Sequence, residues 1–369
     1  MDLGATTKPH PRILAFATKG AGSNEEERLR TLLSEHAADL FPFDRRRKLR
    51  SFFELVRLLK RGRYDLAVME GTGIAGGLAL IWSRLWRRCR YVISSGDAVG
   101  PWVASIRPIL GPVFGLYERA LCRRAAGFIG WTPYLVGRAM TFGTPRGCTA
   151  AGWAQHPISD GERVRSRAQV RSELGIANET LVFGIVGSLA WNARVGFCYG
   201  WELVRAIRRV ERTDVAVIVV GDGTGLEHLR EAAGDDLGTR VHLTGGVPGE
   251  RVLEMMSAFD VASLPQSVDG VGAFRYTTKV SEYVAARLPV VTGRIPMAYD
   301  LGGGWVWRLP GDRPWEAGYI KALAELMRGV TWDCVREKRA HLPDAIEAFD
   351  RDAQVARVSA LVSEILEEA

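Results

Sequence analysis

Lys279 and Glu282 stand three residues apart behind the pair Thr277-Thr278, in a segment that reads as the start of a helix. Backbone N–H groups at a helix start bind phosphate, a nearby ammonium adds charge, and side chains three apart share a face. A carboxylate on that face can accept from both hydroxyls of a vicinal diol. Taken alone, the same spacing also describes an ordinary solvent-facing Lys/Glu pair. Other chemically able residues are scattered. Gly20 and Gly22 lie in a loop where a missing side chain lets another molecule approach the backbone. Glu70 precedes Gly71-Thr72-Gly73, and Asp97 follows Ser94-Ser95-Gly96. Either carboxylate could orient or deprotonate a hydroxyl, or simply close a turn. Arg194 can grip a phosphate through two parallel bonds or face solvent. His156, beside Pro157, shows no partner in sequence and reads as structural.

Metal ligation is not expected. Asp235-Asp236 sits in a turn-like stretch, and the five cysteines are far apart, with neither a Cys-x-x-Cys pair nor a His/Cys cluster. A reducing, cytoplasmic setting is the simplest one for such cysteines.

The elements that would position these groups follow a repeated pattern. The apolar run 13–17 ends in a glycine-bearing loop, and 25–33 then reads as a helix capped by Ser23 or Asn24, with glutamates matching its dipole. Helices at 49–61, 74–86 and 113–126 alternate with strands at 66–69, 91–94 and 127–131. A second series has strands at 181–186, 215–220, 240–243, 261–264 and 289–292, with helices at 199–212 and 225–233. Such alternation predicts an α/β fold with two parallel sheets covered on both faces, and ligands at the carboxyl ends of strands. Between the series, 144–160 loses its pattern and reads as a hinge, while 344–367 has the apolar spacing of a terminal helix. The expected domains are 1–160, 161–345 and a helix over 346–369.

Length and composition agree. A chain of 369 residues suits two domains, and 47% apolar with 25% charged residues sets disorder aside. The residues before Ile13 are few and polar, unlike a signal peptide, and no apolar run reaches the roughly 18 residues that span a bilayer. Residues 1–150 hold 24 Lys and Arg against 12 Asp and Glu, whereas the other 219 hold 25 against 30. The basic half is expected to face an anionic membrane surface, a lipid-phosphate carrier or nucleic acid, and nucleic acid falls away for want of a motif. Arg84, Arg87, Arg88 and Arg90, with Trp82 and Trp86 among them, form an amphipathic stretch that could rest on anionic lipid. The same tryptophans fit a core equally well.

Residues 277–291, Thr-Thr-Lys-Val-Ser-Glu-Tyr-Val-Ala-Ala-Arg-Leu-Pro-Val-Val, resemble the Lys-x-x-Glu-Tyr-x-Ala-x-x-x-Pro-Val-Val segment of retaining, nucleotide-sugar-dependent GT-B glycosyltransferases. Three further segments resemble that family in its order: 182–189 its first donor-domain strand and glycine turn, 217–223 its strand ending in Gly-Asp-Gly, and 241–248 the segment beside the nucleobase. The resemblance implies two Rossmann-like domains facing a central cleft, the first binding acceptor and the second nucleotide-sugar, with a C-terminal helix returning to the first. It assigns the diphosphate to Thr277, Thr278 and Lys279, and the ribose hydroxyls to Glu282. Gly187, Ser188, Val247 and Pro248 fall on donor-binding loops, and Gly20 and Gly22 on a glycine loop near the phosphates.

Two departures matter. Ser188 takes the place of a family arginine, which passes the diphosphate role to Arg194. Eight residues before Glu282, where the family has a glutamate, stands Phe274, so sugar contact is expected from the backbone of 269–275 or from Asp269. In place of the family's His-Asp pair, Asp97 is the candidate for handling the acceptor hydroxyl. The implied reaction is metal-independent, retaining transfer from a UDP- or GDP-type sugar to a carbohydrate or lipid-linked hydroxyl, with no resident cofactor, in the cytoplasm or on the inner face of the membrane. A sugar-nucleotide epimerase of the same fold, or a degenerate nucleotide-sugar-binding protein suggested by Phe274 and Ser188, are the other readings.

Overall fold

The computed structural model describes residues 12–61, 64–87, 89–154, 158–275, 277, 279–301 and 303–368. Runs such as Val215–Val220, buried at every position, have no face to give to water and form strands covered on both sides. The chain divides into two compact units, Met1–Gly152 with Asp350–Ala369, and Trp153–Phe349.

The first unit runs β1 Ile13–Ala17, α1 Asn24–Leu32, β2 Ala38–Leu40, α2 Lys48–Lys60, β3 Leu66–Glu70, α3 Ile74–Arg87, β4 Arg90–Ser95, α4 Val99–Ile106, a 3₁₀ turn Pro108–Leu110, α5 Gly111–Arg124, β5 Gly127–Gly130, α6 Pro133–Thr141 and β6 Gly147–Thr149. Its sheet is parallel, in the order β2-β1-β3-β4-β5-β6. The second unit continues with α7 Asp160–Glu173, β7 Leu181–Val186, α8 Trp201–Ile207, β8 Val215–Val220, α9 Leu226–Ala233, β9 Val241–Gly245, α10 Val252–Met256, β10 Val261–Leu264, α11 Lys279–Ala285, β11 Val290–Thr292, α12 Met297–Asp300, β12 Val306–Arg308, α13 Ala317–Gly329 and α14 Trp332–Ala340. Its parallel sheet has the order β12-β11-β10-β7-β8-β9. Both units are thus Rossmann-like. Strand order reverses between β1 and β3 in one and between β7 and β10 in the other, which is where such sheets take ligands.

The last helix, α15 Arg351–Glu367, belongs to the first unit. Its Leu361 and Ile365 cover Gly127, where any side chain would collide with the Ile365 methyl. Fully buried Gln354 accepts from the Gly152 N–H at 2.8 Å and donates to the Gly152 carbonyl at 3.0 Å. This helix starts at 351 rather than 344, because 347–349 is a 3₁₀ turn and Asp350 caps α15 by accepting from the Ala353 N–H at 2.7 Å.

The division between the two units, after Gly152, falls inside the expected hinge at 144–160. That stretch contains β6, and α7 begins within it, while its residues 155–157, His156 among them, lie outside the described residues. Three-residue β2, β6 and β12 span too little chain to show a period, and α4, α6, α7, α10 and α12 to α14 also went unanticipated. No helix among the described residues is long and apolar enough to cross a membrane.

Replacing Gln354 by Leu keeps the volume but leaves the Gly152 N–H and carbonyl buried without partners. That should cost about 2–4 kcal/mol, read as a lower urea midpoint for the first unit, with little change in the second.

Candidate functional site

In the second unit the carboxyl ends of β7, β8 and β9 meet backbone to backbone. Gly221 has φ 148°, and a Cβ there would stand 1.9 Å from the Gly187 carbonyl oxygen. Only glycine fits. The Gly187 N–H donates to the Val220 carbonyl at 2.9 Å, the Leu189 N–H to Asp222 at 3.0 Å, and the Gly221 N–H to Gly245 at 2.9 Å. Across this bare floor lies Lys279: a Cβ on Gly187 would meet its Cε at 2.9 Å and its Nζ at 3.1 Å. The ammonium sits 4.3 Å from the centre of the Tyr199 ring, a cation–π contact. The Tyr199 hydroxyl accepts from Gln266 Nε2 at 3.1 Å.

Glu282 is half-buried one turn further along α11. Burial pushes its carboxyl above the usual range, and the Lys279 ammonium partly offsets that. Thr277 holds a left-handed φ of 61°, rare for a β-branched residue and worth about 1–3 kcal/mol of strain. Its buried hydroxyl has no hydrogen-bond partner among the described residues. Thr278 lies outside the described residues.

The structure therefore brings Gly187, Lys279 and Glu282 together, with Thr277 just ahead of them. Ser188 is exposed beside Gly187. Val247 and Pro248 follow β9 on the loop that Gly245 ties to Gly221. Arg194 is exposed on a separate turn, where Asn192 Oδ1 accepts from its backbone N–H at 3.1 Å. Phe274 ends a 3₁₀ turn, Gly272–Phe274, that Asp269 closes by accepting from the Val271 and Gly272 N–H groups at 2.8 and 2.9 Å. Burial raises the Asp269 carboxyl, but those donors outweigh it and hold the group below its usual range. Asp269 is thus a turn aspartate.

Sequence reasoning missed Glu202, fully buried in α8. Ser263 Oγ donates to its Oε1 at 2.8 Å, and Tyr283 donates to the Ser263 carbonyl at 2.8 Å. Burial drives the Glu202 carboxyl up to about 7, against the opposing hydrogen bonds from Ser263 and the backbone. In the sequence it looks like any glutamate in a first helical turn, since its partner is 61 residues away.

In the first unit, Gly20 and Gly22 have φ of 110° and 74°. Gly22 N–H is taken by Glu26 at 2.5 Å, while Ser23 Oγ accepts from the Glu26 N–H at 3.3 Å, so this loop caps α1. Glu70 is not a free base. Buried at the end of β3, it accepts from Arg28 Nη1 at 2.6 Å and from Trp131 Nε1 at 3.3 Å. The Arg28 guanidinium also donates to Ser94 Oγ at 3.1 Å and the Ala150 carbonyl at 2.5 Å, with the Trp131 ring centre 4.6 Å away. Burial lowers the Arg28 pKa, and Glu70 works against that. Asp97, half-buried after β4, has its own N–H bonded to Ser95 Oγ at 3.3 Å, next to Gly96 under the Trp131 ring.

Two further motif-like spacings have structural explanations. Gly71-x-Gly73-x-x-Gly76 matches a dinucleotide fingerprint. Here a Cβ at Gly71 or Gly73 would strike Thr18 and one at Gly76 would strike Phe16, so the glycines let α3 pack onto β1. Asp350-Arg351-Asp352 has metal-motif spacing, yet Asp350 is the cap of α15 and Asp352 is exposed in its first turn.

Residues 180–327 match the family model described as "Glycosyl transferases group 1". For that part of the chain the match agrees with the glycosyltransferase resemblance of the Lys279–Glu282 segment and says nothing of stereochemistry. No curated protein matches the sequence. Among solved structures, Anabaena HepE in complex with UDP and glucose shares 16% identity, covering 96% of this chain and 100% of that one, with a TM-score of 0.68. WaaG, a glycosyltransferase involved in lipopolysaccharide biosynthesis, shares 15% over 94% and 99%, at 0.60. The UDP-GlcNAc 2-epimerase from Neisseria meningitidis bound to UDP-GlcNAc shares 12% over 96% and 100%, at 0.56. By fold the chain is of the GT-B type.

An acid whose folded pKa is about 7, above its ordinary 4.5, favours folding fully below pH 4.5 and loses that advantage as pH rises to about 7. Glu202→Gln should therefore raise the melting temperature at pH 8 while changing it little at pH 4.5, in calorimetric scans at both pH values.

Proposed function

We propose that this chain is a glycosyltransferase that moves a sugar from a nucleotide-diphosphate sugar to a hydroxyl acceptor, with retention and without metal. One observation carries the reading: Lys279 lies across the bare Gly187 backbone at the reversal point of the second sheet, with Glu282 on the same helix face. The family match over 180–327 and the nucleotide-bound proteins of the same fold support it. The donor is of the UDP or GDP type.

In this reading Lys279 takes up the charge that grows on the diphosphate as the sugar C1–O bond breaks. Thr277 donates its unused hydroxyl to a phosphate oxygen, and Arg194 approaches the same group from its turn. Glu282 accepts from the pentose hydroxyls. Gly187, Ser188, Val247 and Pro248 line the donor within the second unit. The acceptor oxygen forms the new bond to C1 on the face the diphosphate leaves, and its proton passes to a diphosphate oxygen, so no protein nucleophile is needed. Asp97 orients the acceptor, a carbohydrate or lipid-linked hydroxyl met at the inner face of a membrane through the basic first unit. Likeness to the Neisseria epimerase raises a second reading, in which UDP-GlcNAc is epimerised without any acceptor; analysis of products with and without acceptor separates the two.

Calorimetric titration with UDP should show Lys279→Ala and Glu282→Ala each weakening binding by about ten- to a hundredfold, with Lys321→Ala, exposed on α13, as the unchanged control. Unaltered affinity in both variants would remove the donor assignment. Transfer should also persist in a chelator; activity lost there and restored by manganese would contradict metal independence.

A further inference from the structure

The α3 and α5 helices precede neighbouring parallel strands, so they lie side by side and point the same way. Their pairing is intimate: the Tyr117 hydroxyl of α5 donates to the Gly73 carbonyl at 3.2 Å, and a Cβ on Gly77 would strike the Tyr117 hydroxyl. The outer faces of both are apolar and exposed. On α3 the positions 74, 78, 82, 85 and 86 form one helical stripe, in which Trp82 stacks on Trp86 at 5.9 Å and Trp86 is 71% exposed. The stripe 109, 113 and 116 runs through the 3₁₀ turn into α5, with Ile109 90% exposed. Side chains of this size left in water across two adjacent helices mark a binding surface. The tryptophans read from sequence as core or interface are therefore on the surface.

Charge identifies the occupant. Where α3 and α5 end, Arg84, Arg90, Arg123, Arg124 and Arg146 line a cavity of about 480 Å³ whose one acidic lining residue, among the described residues, is Glu368. Arg146 holds Glu364 and Glu368, and Arg90 donates to the Ile365 carbonyl, so the C-terminal helix steadies part of this basin. Between Glu70 and Glu118 the sequence has five arginines and a single carboxylate, Asp97. The side chain of Arg87 and all of Arg88 lie outside the described residues. An apolar face bordered by stacked tryptophans and ending in arginines has the chemistry of a bilayer interface, where indoles sit at headgroup level and guanidiniums meet phosphates.

We propose that the α3–α5 face is a docking surface for a bilayer of anionic phospholipid, with the arginine basin receiving headgroup phosphates. It rests on the membrane placement in the proposed function and is independent of the transfer chemistry. Flotation of the full chain with vesicles tests it. The protein should float with phosphatidylcholine–phosphatidylglycerol vesicles but not with phosphatidylcholine alone, and high salt should release it. Arg123→Gln should lower the partition coefficient about fivefold, and Trp86→Ser with Leu116→Ser should lower it further, all with unchanged melting temperature and UDP affinity. Equal binding to neutral and anionic vesicles would overturn the proposal. So would no binding to either, or binding that these variants leave intact. A dimer that Trp86→Ser disperses, without vesicle binding, would give the face to a second copy. Vesicle binding without UDP affinity would sink the donor site and keep this surface; the reverse result would do the opposite.

Discussion

Everything in the second unit hangs on two backbone segments passing closer than side chains permit. Gly221 and Gly187 meet at a distance where a single methyl group would overlap a carbonyl oxygen. Because nothing projects from that floor, the long side chain of Lys279 can lie along it and reach Tyr199. Any residue larger than glycine at 187 would have to lift the lysine. The positive charge is thus placed by an absence of atoms, and the aromatic ring holds it without neutralising it as a carboxylate would.

The first unit solves the corresponding problem with charge. Arg28 and Glu70 are both removed from water, and such pairs add little net stability because desolvation offsets their attraction. What the pair does is join α1 and the ends of β3, β4 and β6 in one polar knot, with Trp131 closing over it. The cost of leaving either partner alone makes that arrangement all-or-none. Asp97 is set beside this knot by Gly96 under the indole.

Long, fully apolar strands and the Lys279–Glu282 segment were readable from sequence because each carries its signal within a few residues. Short edge strands were not, since three residues give no period, and their pairing is decided by neighbours far along the chain. Arg28, Trp131, Tyr199 and Glu202 escaped for the same reason: each acquires meaning only through a partner dozens of residues away. The glycine spacing at 71–76 shows the converse, a local pattern that tertiary packing uses for close helix contact. Trp82 and Trp86 fitted two environments by sequence, and exposure decided between them.

In the proposed function the charge of a nucleotide diphosphate is met at the junction of Gly187, Thr277 and Lys279. A crystal of the chain grown with uridine diphosphate addresses it directly. Phosphate density is expected within hydrogen-bonding distance of Lys279 Nζ and the Thr277 hydroxyl, with the ribose against Glu282. Diphosphate bound with well-ordered density away from Lys279, its ammonium still on Tyr199 alone, would contradict it.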